Sequence, residues 1–307
     1  MFLRRHNTSL LVRAPAKLNL FLEVLGKRSD GYHDLESLML KIDLSDDLAF
    51  TPAEELSLTA DLSGLPHGSQ PAEASFLSGD NLILKAARLL QLSTGCERGA
   101  RIHVAKRIPL ESGLAGGSTD AAATLVALNH LWNLGLSRTE LQKLSAELGS
   151  DLPFFFSPSP AAICFGRGER VEPLPPGPEL AFVIARPPSG LSTPLVFKNL
   201  KLTSEKVLLS PMRTAWIEGR WSQVGSHLFN RLQDVAESLN ADVAGLRRCF
   251  ERLPFAAHRM SGSGTSYFGI CRTRREASRL ANQLRSRNFG SVFVAAHRTV
   301  ENGCLGI

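Results

Sequence analysis

A glycine-rich segment holds the residues best suited to bind an anion. It reads Gly113-Leu-Ala-Gly-Gly-Ser-Thr-Asp120 and stands between an alternating apolar pattern and an alanine-rich apolar run. Glycine allows positive φ and a close backbone approach, and the first amides of a following helix point unpaired at the loop. The segment matches neither the Walker A nor the Rossmann pattern. It predicts phosphate binding by backbone amides, which a side chain at Gly116 would obstruct; a plain structural turn is the alternative.

Two further motifs bring polar side chains to the ends of predicted elements. Lys17 and Asn19 lie in Ala14-Pro-Ala-Lys-Leu-Asn-Leu20, where their spacing in a strand points both side chains the same way. Asp151 lies in Gly149-Ser-Asp-Leu-Pro153, immediately beyond a predicted helix end. Taken alone, the lysine is more simply a surface residue and the aspartate a solvated helix-terminal carboxylate.

The elements that must position these motifs alternate between strands and helices. Apolar residues on one side of a period-2 pattern predict a strand at 18–25 with one face in a core, and a second strand is predicted at 101–108. Helices are predicted after an N-cap at Asp80, at 121–132, and from Ser137, which has capping-box spacing to Glu140, to about Gly149.

The densest proline and glycine cluster, residues 173–178, is the best candidate for a domain junction. Beyond it, strands are predicted at 181–185, 266–271 and 292–296, and helices at 223–239, 243–252 and 275–284. Strands and helices alternate without a long parallel series, which favours an α+β fold with two domains, residues 1–175 and 176–307.

Composition bounds the class of protein. A chain of 307 residues with 43% hydrophobic and 21% charged residues is typical of globular proteins. Five scattered cysteines (the last is Cys304) form no C-x-x-C pair, which argues against a disulfide framework or a common zinc site. We expect a cytoplasmic protein without membrane spans, although Arg4, Arg5 and Ser9 weakly fit a transit peptide.

The net charge of +6 suits an acidic partner, either nucleic acid or a phosphorylated metabolite. Nucleic-acid binding needs a clustered basic face with interleaved aromatic residues. The arginines between Arg247 and Arg298 are instead dispersed and interrupted by acids such as Glu251. No nucleic-acid partner is therefore expected.

The order of the motifs carries a family resemblance. Ala14–Leu20, then Gly31-Tyr-His33, the glycine loop, Gly149–Pro153 and Ser261-Gly-Ser-Gly264 together resemble the GHMP kinase superfamily. The resemblance runs from about residue 13 to about 270 and is weak at 46–79 and in the last thirty or so residues. It implies an N-terminal domain like the second domain of ribosomal protein S5 and a ferredoxin-like C-terminal domain. The site would lie in the cleft between them.

The resemblance also implies residue roles for an ATP-dependent small-molecule kinase. Asp151 would be the general base and Lys17 its catalytic partner, and Mg²⁺ would be expected only as the counterion of ATP, without a dedicated protein metal site. The ATP-binding set would be Asn81, Pro109, Leu110, Glu111, Ser112, Gly113, Leu114, Ala115, Gly116, Gly117, Ser118 and Thr119. The substrate-binding set would be Asn19, Tyr32, His33, Thr193, Phe197, Gly262 and Gly264.

The same resemblance implies a substrate alcohol that carries a cytidine diphosphate group. Tyr32 and Phe197 would sandwich the base and His33 would bind its edge. We expect a monomer or weak homodimer. The alternatives are a superfamily kinase for homoserine, mevalonate or a sugar, or an inactive regulator on the same fold.

Several positions have simpler roles open to them or depart from the family pattern. Helix capping is an alternative for Asn81 and Ser118, and a tight turn is the alternative for residues 261–264. Glu111-Ser112 and Arg186-Pro-Pro depart from the usual residues, and an acid beside the phosphate cradle would repel ATP unless it points away or faces Mg²⁺.

Overall fold

The computed structural model describes residues 1–6, 8–65, 76–78, 80–287 and 290–297. Cys304 and Arg298, which enter the sequence analysis above, lie outside the described residues. Within the described part of the chain, no helix is both long and apolar enough to cross a membrane.

The larger of two sheets is built mostly from the N-terminal half. Its strands are β1 Phe2–His6, β2 Ser9–Lys27, β3 His33–Ala53, β4 Leu56–Asp61, β5 Gly99–Ala105, β6 Ala161–Gly166, β7 Arg170–Pro173 and, from the later part of the chain, β9 Phe229–Asn230. The central path runs β1-β2-β3-β5-β4, β6 pairs with β3 and β7, and the short strand β9 joins β2 in parallel.

Strand β2 is longer than predicted and is buried on both faces. The prediction of one face in a core is wrong for residues 18–24, because Asn19, Phe21 and Glu23 are as buried as the leucines beside them. Leu18, Leu20 and Phe21 pack in the same apolar cluster as side chains of the second sheet. The burial of Glu23 is compensated by Arg231, whose Nη2 lies 2.6 Å from its carboxylate.

Helices cover the other face of this sheet: α1 Leu82–Thr94, α2 Gly116–Leu131, α3 Arg138–Leu148 and α4 Leu152–Phe155. The predicted capping box at Ser137 and Glu140 is confirmed. The N-cap of α1 is Asn81 rather than Asp80, since the Asn81 side chain accepts from the Ile83 amide at 2.8 Å. Helix α2 begins at Gly116, ahead of the predicted start, so the glycine loop runs into its first turn.

The second sheet is antiparallel, in the order β10-β11-β8-β12. Its strands are β8 Leu180–Arg186, β10 Ala257–Met260, β11 Tyr267–Cys271 and β12 Ser291–His297. Its helices are α5 Thr193–Asn199, α6 Ser210–Ile217, α7 Trp221–Ser226, α8 Gln233–Leu239, α9 Ala241–Glu251 and α10 Arg274–Arg285. The single helix predicted at 223–239 is wrong, because β9 divides that segment between α7 and α8. The predicted α+β class is confirmed, and the boundary after residue 175, which falls between β7 and β8, stays a prediction.

A buried charge cluster connects the residues on either side of the glycine loop. The Lys106 Nζ lies 2.5 Å from an Asp46 carboxylate oxygen and 2.7 Å from one of Asp120, in the first part of α2. The other Asp46 oxygen accepts from the amides of Arg107 and Ile108. Burial alone would lower the pKa of Lys106, but the two carboxylates outweigh it and raise that pKa. Burial raises the pKa of Asp120 despite the lysine.

Replacing Lys106 should destabilise the fold. Lys106→Met leaves two carboxylates buried without their cation, and breaking a buried pair costs about 3–5 kcal/mol. Lys85→Met is the matched control, because Lys85 lies 3.0 Å from Asp80 on the surface and exposed pairs contribute about 0–1 kcal/mol. Urea unfolding of both variants measures the difference. Equal stabilities would show that the cluster is dispensable.

Candidate active site

One cleft collects most of the residues that the sequence singles out. Its volume is about 1550 Å³, well above the roughly 300–1,000 Å³ of ordinary single-ligand pockets, so it has room for two ligands. Its lining combines the glycine loop and β2 with residues 191–200 and 262–264 of the C-terminal half.

Lys17 and Asp151 meet at this cleft. The Lys17 Nζ lies 3.4 Å from a carboxylate oxygen of Asp151, and the two side chains are 3% and 32% exposed. The backbone amide of Lys17 donates to the Leu114 carbonyl at 3.1 Å, which ties the lysine to the glycine loop. Asp151 precedes α4 but makes no side-chain cap hydrogen bond there. Its carboxylate is therefore open to the cleft on one side and paired with a buried cation on the other.

Asn19 is hydrogen-bonded to the side chain of Lys17. Its side-chain oxygen accepts from the Lys17 Nζ, its amide nitrogen donates to the Ser37 hydroxyl at 2.8 Å, and its backbone amide donates to the Ser261 hydroxyl at 3.2 Å. The side chain is fully buried, although it contributes to the cleft floor. These bonds fit a residue that orients Lys17, and the predicted contact with substrate stays a prediction.

The N-terminus of α2 lacks a capping side chain. Its N-cap is Ala115, in a left-handed conformation, whereas α1 and α3 are capped by Asn81 and Ser137. The first intrahelical bond runs from the Thr119 amide to the Ala115 carbonyl. The amides at 116–118 therefore have no intrahelical acceptor. A helix end of this kind attracts an anion through these amides and through the helix dipole.

The glycine loop is bonded to the loop at 261–266. The Ser261 hydroxyl donates to the Gly113 carbonyl at 3.1 Å, and the Ser266 amide donates to the Ser112 carbonyl at 3.1 Å. Gly113 has φ +73°, and a Cβ there would collide with the Ser261 carbonyl oxygen. Only glycine satisfies both constraints. Thr193 is bonded to the same loop, with its hydroxyl 2.6 Å from that of Ser263.

Aromatic side chains line another part of the cleft, and the predicted sandwich of a base between Tyr32 and Phe197 stays a prediction. Phe197 stacks on His33, with ring centroids 4.9 Å apart and planes 28° apart. The guanidinium of Arg167 lies 4.8 Å from the centroid of the Tyr32 ring. A base can therefore use only the open faces of Tyr32 and Phe197. Burial and the nearby Lys27 charge lower the pKa of His33, which favours the neutral ring.

The two departures from the family pattern lie close to each other. Glu111 has φ +49°, and its carboxylate lies so near Gly190 that a Cβ there would be 2.6 Å from it. Arg186, 5% exposed, has its pKa lowered by burial, an effect that the Glu111 charge opposes. The Glu111 charge therefore lies within electrostatic reach of a buried guanidinium, which reduces the repulsion of ATP expected from the sequence.

The cleft includes most of the predicted site residues. They are Lys17, Asn19, Tyr32, His33, Pro109, Leu110, Glu111, Ser112, Gly113, Ala115, Gly116, Gly117, Ser118, Asp151, Thr193, Phe197, Gly262 and Gly264. Asn81, Leu114 and Thr119 do not line it. Asn81 is occupied in capping α1, Leu114 packs in the core between the sheets, and Thr119 is turned inward on α2. The assignment of these three residues to the ATP-binding set stays a prediction.

Sequence reasoning missed the other cations of the lining. They are Lys27, Arg167, Arg186 and Lys198. Arg186 drew notice only as a departure from the family pattern. Arg167 stands in a Gly-Arg-Gly turn after an apolar strand, and this pattern indicates a turn without indicating where the side chain points.

Comparison with known proteins identifies the class. Residues 81–158 match the GHMP kinases N terminal domain, and residues 212–290 match the GHMP kinases C terminal domain. The chain belongs to the GHMP kinase family.

Individual members of the family differ in how similar they are to this chain. A 4-diphosphocytidyl-2-C-methyl-D-erythritol kinase from Synechococcus sp. (strain CC9605) is 42% identical over 90% of this chain and 93% of its own length. A crystal structure of 4-(cytidine 5'-diphospho)-2C-methyl-D-erythritol kinase superposes with a TM-score of 0.76 at 31% identity, covering 93% of this chain and 98% of that one. A homoserine kinase from Cytophaga hutchinsonii, with 16% identity, a TM-score of 0.69 and 97% of each chain covered, shares the fold alone.

The structure changes what a substitution at Gly116 would test. A Cβ there would lie 3.0 Å from the Ile108 side chain and 3.3 Å from the Lys106 Nζ. A side chain at this position would therefore disturb the packing of the core, rather than only block a phosphate as the sequence suggests. Gly116→Ala should lower the free energy of unfolding by about 1–3 kcal/mol. Gly117→Ala, whose Cβ would meet only Leu82 at 3.5 Å, is the control and should not destabilise. A stable Gly116→Ala protein with a raised KM for ATP would restore the original interpretation.

Proposed function

We propose that this protein transfers the γ-phosphoryl group of ATP to the C2 hydroxyl of 4-diphosphocytidyl-2-C-methyl-D-erythritol, a step in non-mevalonate isoprenoid precursor synthesis. The observation that carries the proposal is one cleft that joins an uncapped helix N-terminus, the Lys17–Asp151 pair and an aromatic cluster. The identity of 42% to a kinase named for this substrate supports it.

The glycine loop supplies the nucleotide half of the site. Gly116, Gly117 and Ser118 line the cleft, and their backbone amides have no acceptor within the helix, so these amides can donate to phosphate oxygens. Among the described residues, no group of three or more His, Cys, Asp or Glu side chains is placed to hold a metal ion. Mg²⁺ usually binds through one or two carboxylates and the phosphates themselves. Asp80, Glu111 and the Ser118 hydroxyl line this end of the cleft, and Mg²⁺ would supply charge neutralisation there.

Asp151 and Lys17 supply the groups for the transfer. Asp151 takes the proton of the substrate hydroxyl while the hydroxyl oxygen bonds to the γ-phosphorus of ATP. The bond between the γ-phosphorus and the oxygen that bridges it to the β-phosphorus breaks, and ADP leaves. Lys17 holds the hydroxyl and stabilises the charge that develops on the transferred group. Such a reaction depends mainly on positioning and electrostatic stabilisation, and the bonds from Lys17 to Asn19 and Leu114 fix that position.

The aromatic cluster favours a cytidyl substrate over the other alcohols of this superfamily. Homoserine and mevalonate have no flat base, whereas the open faces of Tyr32 and Phe197 can stack on one. ADP release measured with a panel of alcohols, including 4-diphosphocytidyl-2-C-methyl-D-erythritol, homoserine and mevalonate, tests the proposal. Efficient turnover of a small alcohol, without turnover of the cytidyl compound, would refute the substrate while leaving the kinase class intact.

Asp151→Asn should reduce turnover by roughly 10²–10⁴-fold, because the amide keeps the shape of the side chain but has no basic oxygen. The KM for ATP should stay close to that of the wild type. Lys17→Met should be severely impaired too, and the double variant should be far from additive, since the pair acts as a unit. Asp47→Asn, a change at a surface carboxylate that does not line the cleft, is the control. Near-normal turnover by a folded Asp151→Asn protein would exclude Asp151 as the base.

CDP should compete with the alcohol substrate, and Tyr32→Ala should weaken that competition. Loss of one stacking face costs about 1–3 kcal/mol, or roughly 5- to 150-fold in affinity. The KM for ATP should hardly change, and Tyr32→Phe, which keeps the ring, should behave like the wild type. Inhibition constants for CDP in the three proteins measure the effect. Equal constants for Tyr32→Ala and wild type would remove Tyr32 from the base site.

A further inference from the structure

Arg167 is a positively charged residue of the cleft lining that has no role in the function proposed so far. It stands between β6 and β7 in a turn whose flanking residues, Gly166 and Gly168, both have positive φ. Its guanidinium lies 4.8 Å from the centroid of the Tyr32 ring, and its side chain lines the cleft. The turn therefore places the half-buried guanidinium of Arg167 against the ring of Tyr32, which is part of the candidate site for the base.

The turn also abuts the catalytic pair. Gly168 packs so closely on Ser150 that a Cβ would lie 2.9 Å from the Ser150 carbonyl oxygen, and Ser150 directly precedes Asp151. Arg167 thus connects two regions of the cleft, the backbone beside Asp151 and the ring of Tyr32.

The guanidinium retains donors for a ligand. Within the described part of the chain, the guanidinium makes one long hydrogen bond, from Nη2 to the Ala146 carbonyl at 3.5 Å. Asp30 is within electrostatic reach, but its carboxylate accepts from Arg28 and from the backbone amide of Tyr32. Among the described residues, no carboxylate forms an ion pair with Arg167 within 4.0 Å. An arginine with an anchored plane and free N–H groups is suited to bidentate recognition of phosphate.

We propose that Arg167 binds the diphosphate of the cytidyl substrate. The inference rests on the proposed function, because the order of groups in that substrate is base, ribose, diphosphate and then the alcohol that reacts. With the base at Tyr32 and the hydroxyl at Asp151, the diphosphate lies between them, and Arg167 belongs to a turn that contacts both the Tyr32 ring and the residue before Asp151. Arg167 is then a substrate-binding residue that discriminates CDP from cytidine and leaves ATP binding to the glycine loop.

The neighbouring Arg170 provides a matched control. It is exposed, lies 5.7 Å from the ring of Phe165 in the same hairpin, and does not line the cleft. Both arginines contact an aromatic ring, so a general loss of charge or of hairpin packing would affect both variants. Only Arg167 is placed to touch the diphosphate.

The test compares inhibition by CDP and by cytidine in wild type, Arg167→Gln, Arg167→Lys and Arg170→Gln. Wild type should bind CDP more tightly than cytidine. Arg167→Gln should weaken CDP binding and raise the KM of the cytidyl substrate by roughly 10- to 100-fold, as expected for a lost hydrogen bond to a charged group. Cytidine inhibition and the KM for ATP should change by less than about threefold, since cytidine lacks the phosphates and charge-assisted bonds carry most of the effect. Arg167→Lys should be intermediate, and Arg170→Gln should match wild type.

The outcomes separate the possible failures. Equal loss of CDP and cytidine binding in Arg167→Gln would mean that Arg167 only supports the Tyr32 ring, and the inference would be wrong. An unchanged ratio of CDP to cytidine affinity would also overturn it, with the proposed function intact. A wild-type protein that ignores cytidine nucleotides would refute the proposed function itself. If Arg167→Gln does not fold, the CDP-to-cytidine ratio in Arg167→Lys decides: a reduced ratio supports the inference and an unchanged one rejects it.

Discussion

The close backbone contact at Gly113 is the constraint on which the rest of the site depends. Ser261 donates to the Gly113 carbonyl and accepts from the Asn19 amide, so one hydroxyl connects the glycine loop, strand β2 and the C-terminal half. The contact requires positive φ and leaves no space for a Cβ. The glycine loop and the strand that carries Lys17 are thereby held in one hydrogen-bonded unit, and the cleft lies between that unit and residues 191–200 and 262–264 of the C-terminal half.

Two buried lysines show how charge is distributed around this unit. Lys106 is enclosed with two carboxylates beneath the glycine loop, so its charge is fully compensated and serves the architecture. Lys17 has a neutral partner, Asn19, and a single carboxylate, that of Asp151, at 3.4 Å. Because the Asp151 side chain is partly exposed, part of the Lys17 charge remains available to an anionic ligand. The same residue type therefore serves stability at Lys106 and, in the proposed reaction, catalysis at Lys17.

The sequence predicts the local features of this fold well because they depend on neighbouring residues. The capping box at Ser137 and the α+β alternation are of this kind. The burial of both faces of β2 was not predictable from period-2 spacing, since it depends on the second sheet packing against the first. Strand β9, which interrupts a helical sequence pattern, was not predictable for a similar reason, because it pairs with the distant strand β2. The cleft position of Arg167 was not predictable either, because it depends on a turn that packs against Ser150 and places the guanidinium on Tyr32, which lies far away in the chain.

Helix α5 links the aromatic end of the cleft to the phosphate end. At its start the Thr193 hydroxyl is bonded to Ser263, in the loop that also holds Gly113, and further along Phe197 stacks on His33. In the proposed reaction, a base that stacks on the open face of Phe197 contacts a helix that is hydrogen-bonded, through Thr193 and Ser263, to the loop that holds Gly113. The two ends of the cleft therefore share one connected set of contacts. This connection would let elements from both halves of the chain align the hydroxyl with the phosphoryl group.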